Sequence, residues 1–164
     1  MCNAVSWPEH FVRFADPEAE LPILTRSGGI SMVRWGVHYG DAGHPYPKGP
    51  CARLESIRDG RWRRLNPRPV RIAVASFGER SPVDRCNYWF SVPSGAALQG
   101  LFVPPCSVDP DGRVYVVTVP IETALAYGLK AQFALPAGGM TAVHERWPRL
   151  VSLSAGEAWP LSGS

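Results

Sequence analysis

No stretch of this 164-residue chain approaches the roughly 20 consecutive apolar residues that span a bilayer, so no membrane-crossing helix is expected in it. The first ten residues carry Trp7, Pro8, Glu9 and His10 and not a basic region followed by an apolar one. A secretory signal is therefore not expected, and the expected location is cytoplasmic. Cysteine is scarce: Cys2, Cys51, Cys86 and Cys106 lie too far apart for the short spacings of zinc ligands. In a reducing compartment they are not expected to pair as disulfides either. Phosphate-binding glycine loops, a G-x-S-x-G elbow and paired metal histidines are all missing, so no metal or cofactor is expected. His38 and His44 share a loop, but no third ligand follows at a useful spacing.

Turn-forming residues, by contrast, are abundant. Seventeen prolines and sixteen glycines argue against a helical bundle. Hydrophobic content of 45% and charged content of 19% are those of an ordinary globular protein. At this length folding buries about 70% of the unfolded chain's surface, enough for one core without staples. Leu21–Arg26 and Ile30–Trp35 read as strands joined by the hairpin residues Ser27, Gly28 and Gly29. Residues 36–50 read as an exposed Gly/Pro loop, and Val70–Ser76 as a short apolar strand. Asn87–Val92, Leu98–Val103 and Arg113–Val119 read as an antiparallel meander, with turns at Pro93-Ser94-Gly95 and Asp109-Pro110-Asp111-Gly112. Ile121–Leu129 has room for two helical turns. Arg149–Leu153 reads as a last strand, and Ser154 with Glu157 as a capping box for a terminal turn. The expected fold is α+β: one domain over residues 1–164, dominated by antiparallel strands with a few short helices.

Four places carry reactive chemistry. Cys2 follows the initiator methionine. Loss of Met1 would leave a free α-amine and a thiol on adjacent carbons, with reference pKa values of about 8 and about 8.5. Such a 1,2-aminothiol captures aldehydes, the amine as an imine and the thiol by closing a thiazolidine. The alternative is an ordinary second residue. Between Arg58 and Arg71 stand six arginines and one aspartate, with Trp62 among them. Arg61 and its neighbours suit phosphate, and Trp62 suits stacking on a base. The alternative there is a solvated loop whose tryptophan packs inward. Glu79 ends an apolar strand, where a carboxylate can reach a cleft or remain a surface charge. His144 has the pKa range of a proton shuttle, although a single histidine is more often structural. The net charge of +3 is compatible with a nucleic-acid partner and is weak evidence for one.

In order along the chain these pieces resemble the SOS response-associated peptidase (SRAP) family, the abasic-site-shielding proteins. The family's opening Met-Cys-Gly-Arg is here Met1-Cys2-Asn3-Ala4, and its Trp-Gly pair is Trp35-Gly36. Its Asn-Ala-Arg-x-Glu is Cys51-Ala52-Arg53-Leu54-Glu55. Its Gly-Trp-x-Glu-Trp is Ser76-Phe77-Gly78-Glu79-Arg80, and His-x-Arg-x-Pro is intact as His144-Glu145-Arg146-Trp147-Pro148. The resemblance covers nearly the whole chain and implies a barrel-like SRAP sheet. It also implies covalent capture of abasic sites in single-stranded DNA through Cys2, by a monomer. It assigns proton transfer to Glu79 and His144, and DNA contacts to Arg53 and Arg146 beside Arg61 and Trp62. Cys51 replaces the family's asparagine and Ala4 its early arginine, as in a divergent copy of the sort carried by phages and mobile elements. Two other functions stay open: a thiol peptidase that processes its own N-terminus, and a non-catalytic DNA-binding module.

Overall fold

A computed structural model describes residues 2–80, 85–120 and 146–153. Among them are twelve strands, one five-residue α-helix and one short 3-10 turn. The strands are β1 (Cys2–Trp7), β2 (His10–Arg13), β3 (Glu20–Leu24), β4 (Ile30–Arg34), β5 (Cys51–Arg53) and β6 (Arg68–Ile72). They continue with β7 (Ser76–Arg80), β8 (Asn87–Ser91), β9 (Ala96–Val103), β10 (Arg113–Pro120), β11 (Arg146–Pro148) and β12 (Leu150–Ser152). Helix α1 spans Leu54–Arg58.

Two sheets form. The smaller has strand order β2-β1-β7-β8; the larger runs β11-β10-β9-β6-β3-β4, with β12 added to β9 and β5 to β10. All neighbours pair antiparallel except β5 with β10, which is parallel. The expectation of antiparallel dominance thus holds. The helical part of an α+β fold reduces to α1 and the 3-10 turn, and no closed barrel forms among the described residues.

The sheets share one core. Phe77 and Phe90 of the small sheet meet Trp147 of the large one, with ring centroids 6.2 and 4.7 Å away. Val5, Leu21, Leu98, Leu101, Tyr115 and Val117 are fully buried in the same cluster. Strands β9 and β10 show near-continuous burial, because both of their faces are covered.

Three expectations need correction. The strand beginning at Val70 is two strands, β6 and β7, separated by Ala73–Ala75 and placed in different sheets. The expected meander is also divided: β9 and β10 form a hairpin, but β8 pairs with β7 in the other sheet. The Gly/Pro loop is partly buried, not simply exposed. Tyr115 Oη donates to the Pro47 carbonyl at 2.6 Å, and Tyr46 Oη to that of Pro104 at 3.0 Å. Asp109, itself held by Arg113, binds His44 at 3.2 Å. These polar anchors draw the loop down onto the β9–β10 hairpin. The sequence reading overlooked β1, β2, β5 and β11 entirely. The segments expected at Ile121–Leu129 and Ser154–Glu157 lie outside the described residues.

Gly36 and Gly43 both have positive φ, at +55° and +86°. A Cβ on Gly43 would meet nothing within 4 Å, whereas one on Gly36 would strike the Gly49 carbonyl oxygen. Gly43→Ala is expected to cost about 1 kcal/mol from backbone strain alone. Gly36→Ala should cost more than about 3 kcal/mol, because backbone must move as well. Urea denaturation of the two variants measures the difference.

Candidate functional site

Cys2 is the first residue of β1, and its neighbour across the sheet is Glu79 of β7. The register then shifts: Ala4 opposes Gly78, so two steps on β1 match one on β7. This bulge at Asn3 decides which way Cys2 points. Side chains alternate along a strand, and directly opposed residues share a face. Phe77 and Glu79 therefore lie on the inner face, with Gly78 turned outward against Ala4 and Trp89. Opposing Glu79, Cys2 joins it on that inner face; both are 0% exposed.

Cys51, the first residue of β5, approaches from the other sheet. Its thiol donates to the Cys2 carbonyl at 3.8 Å, and the Cys2 thiol donates to the Ala4 carbonyl at 3.7 Å. The site is thus a seam between the sheets, built from Cys2, Glu79 and Cys51.

Burial sets the electrostatics. Loss of water pushes the Glu79 carboxyl up to about 7 and the Cys51 thiol up to about 12. The Cys2 thiol is also raised, first by burial and then by the neighbouring Glu79 charge. Both thiols are therefore protonated at neutral pH, while Glu79 stands near its midpoint and can give or accept a proton.

The remaining predicted residues divide. Arg53 is exposed, two residues from Cys51 on β5, and so on the same face about 6–7 Å further along the strand. Its side chain has no hydrogen-bond or ion-pair partner among the described residues. Arg146 is occupied: its guanidinium binds Glu55 Oε2 at 2.7 Å, the Thr118 carbonyl at 2.9 Å and Thr118 Oγ1 at 3.2 Å. Its positive charge nevertheless reaches Cys51 and lowers that thiol's pKa slightly. Arg61 is exposed on the turn after α1, and among the described residues no bond joins it to the seam. Trp62 corrects the stacking expectation. It is 7% exposed, and its ring meets Tyr115 edge-on at 4.8 Å, so it serves the core and offers no face to a base. His144 lies outside the described residues. Among the described residues no group of three His, Cys, Asp or Glu is arranged to hold a metal ion.

Sequence reasoning missed Asn3, whose Oδ1 is buried without a hydrogen-bond partner among the described residues. Its period-two relation to Val5 was the available signal, hidden because β1 was not recognised as a strand. No family model matches the chain, and no curated protein matches it.

Glu79 generates a pH prediction. The folded protein holds this proton up to about 7, whereas a free carboxyl releases it near 4.5. Between those values the native state binds more protons than the unfolded one, so raising the pH destabilises it. Stability should fall by about 3 kcal/mol from pH 4.5 to pH 7, and Glu79→Gln should abolish that slope. Urea melts across the window test this.

Proposed function

We propose that the seam captures an aldehyde covalently, and that its substrate is an abasic site in single-stranded DNA. The observation that carries this reading is the cross-strand pairing of Cys2 with a buried carboxyl poised near neutrality. The ordered motifs shared with the SRAP family support the choice of aldehyde. An abasic deoxyribose exists partly as an open chain, and its aldehyde is the electrophile a 1,2-aminothiol takes.

Removal of Met1 would free the Cys2 amine. The amine starts the chemistry, because the raised thiol is protonated while an α-amine with a pKa of about 8 is partly neutral. The amine adds to the aldehyde carbon; Glu79 protonates the departing hydroxyl of the carbinolamine and takes back the nitrogen's proton, giving water and an imine. The thiol sulfur then adds to the imine carbon. Its proton passes through Glu79 to the nitrogen, which closes the thiazolidine. The net products are the ring and one water. A bound sugar held beside the amine makes the attack effectively intramolecular. Arg53 provides an exposed guanidinium near the seam for the flanking phosphate.

The raised Cys2 thiol counts against the thiol-peptidase reading, since a thiolate nucleophile needs a lowered pKa. A DNA-binding module without chemistry would leave the pairing of Cys2 with Glu79 unused.

The test incubates the Met1-free protein with single-stranded DNA bearing one abasic site, followed by a denaturing gel. A slow-migrating adduct is expected. Cys2→Ala should abolish it, and Glu79→Gln should slow its formation about 10²-fold or more. Absence of an adduct, or an adduct that survives Cys2→Ala, defeats the reading. In equilibrium binding to intact single strands, Arg53→Ala should weaken affinity and reduce the slope of log K against log salt by about 0.7, the loss of one phosphate contact.

A further inference from the structure

The bulge that turns Cys2 inward leaves a second polar side chain unexplained. Asn3 is the extra residue between the Cys2–Glu79 and Ala4–Gly78 pairs. Val5 opposes Phe77 on the inner face, and Asn3, two residues before Val5, shares that face by strand alternation. Cys2, Asn3 and Glu79 thus converge on one side of the sheet.

The Asn3 backbone is fixed, since its carbonyl accepts the Phe14 N–H at 2.8 Å. The side chain is not satisfied among the described residues: Oδ1 is buried and receives no hydrogen bond from them. A buried acceptor without a donor destabilises a fold, and native structures keep few of them. Such an atom beside a reactive residue calls for an explanation, and a donor brought by a ligand supplies one. Glu79 already has the proton-transfer role, and Cys51 directs its thiol at the Cys2 carbonyl. Asn3 Oδ1 is the acceptor left over.

We infer that Asn3 is a substrate-binding and specificity-determining residue, whose Oδ1 accepts a hydrogen bond from the sugar hydroxyl released when the deoxyribose ring opens. Ring opening converts the ring oxygen into a hydroxyl on C4′. An aldehyde entering the seam with that hydroxyl brings a buried donor that needs an acceptor, and a simple alkyl aldehyde brings none. Asn3 would therefore favour hydroxyaldehydes over plain aldehydes at Cys2, without taking part in bond making. This inference rests on the aldehyde-capture reading of the same site.

Asn3→Leu removes the acceptor with little change of shape. Wild-type and variant proteins, both lacking Met1, are reacted with abasic single-stranded DNA and separately with butanal, and adducts are followed by intact mass. The DNA reaction is expected to slow about 10-fold in the variant, the butanal reaction to be unchanged, and the variant to melt about 2–6 °C higher because the orphan acceptor is gone. Equal slowing with both aldehydes, or no slowing with DNA, overturns the role of Asn3 while leaving capture intact. A lower melting temperature in the variant overturns the orphan-acceptor premise. Failure of the wild type to link to either aldehyde removes the capture reading and this inference with it. Should Asn3→Leu fail to fold, Asn3→Ala under the same pair of aldehydes decides between these outcomes.

Discussion

The one-residue bulge in β1 is the constraint on which the site depends. A strand with strict alternation from Val5 backward would place Ala4 outward, Asn3 inward and Cys2 outward, away from Glu79. The extra residue reverses Cys2 and sets it opposite the carboxyl. Its surroundings hold this irregularity in place. Gly78 provides the room, since a Cβ there would press on Ala4 and Trp89 at 3.3 and 3.4 Å. The Phe14 N–H ties the Asn3 carbonyl to the neighbouring loop, and the Cys51 thiol ties the Cys2 carbonyl to the other sheet. Bulges concentrate beside functional sites because they re-aim a side chain without breaking a sheet, and that is the result here.

Dryness is the second property of the seam, and it has opposite effects on its acid and its thiols. Burial raises every group whose charged form is an anion. For the two thiols the shift removes nucleophilicity at neutral pH; for Glu79 it brings a carboxyl into the range where it can exchange protons. One environment therefore weakens a direct attack by sulfur and, in the proposed reaction, favours proton transfer during attack by nitrogen. Cys51 fits this setting. A protonated thiol is neutral and a weak donor, so it anchors the Cys2 carbonyl without adding charge beside Glu79.

The chain's sequence made the larger antiparallel pieces legible, through β-branched and aromatic runs between Gly and Pro turns. The β3–β4 and β9–β10 hairpins follow that reading closely. It failed where tertiary contacts override local pattern. The β1–β2 hairpin turns through Pro8 and Glu9, with Glu9 at a φ of 65°, a conformation a non-glycine residue seldom signals. Ser76 begins a strand only because β7 leaves the sheet that contains β6. At the site, residue types were readable but their partners were not. Cys2 and Glu79 stand 77 positions apart, and their meeting depends on a register shift that no periodicity reveals. Trp62 shows the reverse error: an aromatic inside a basic run suggested a base platform, yet its apolar surface found Tyr115 first.

The two motif arginines divide their work for the same reason. Arg146 lies at the end of β11, where its guanidinium joins α1 through Glu55 and β10 through Thr118. A fork committed to three acceptors has few N–H groups left for phosphate, and its charge is largely balanced by the Glu55 carboxylate. Arg53 occupies the opposite flank of Thr118, at the end of β5, with its side chain in solvent. Of these two arginines, Arg53 is the one that presents its guanidinium to solvent. Arg146 joins α1 to β10, and Arg53 on the other flank leaves its charge in solvent. The proposed capture would use both: a reaction centre fixed at β1 and β7, and an exposed charge beside it for the flanking phosphate.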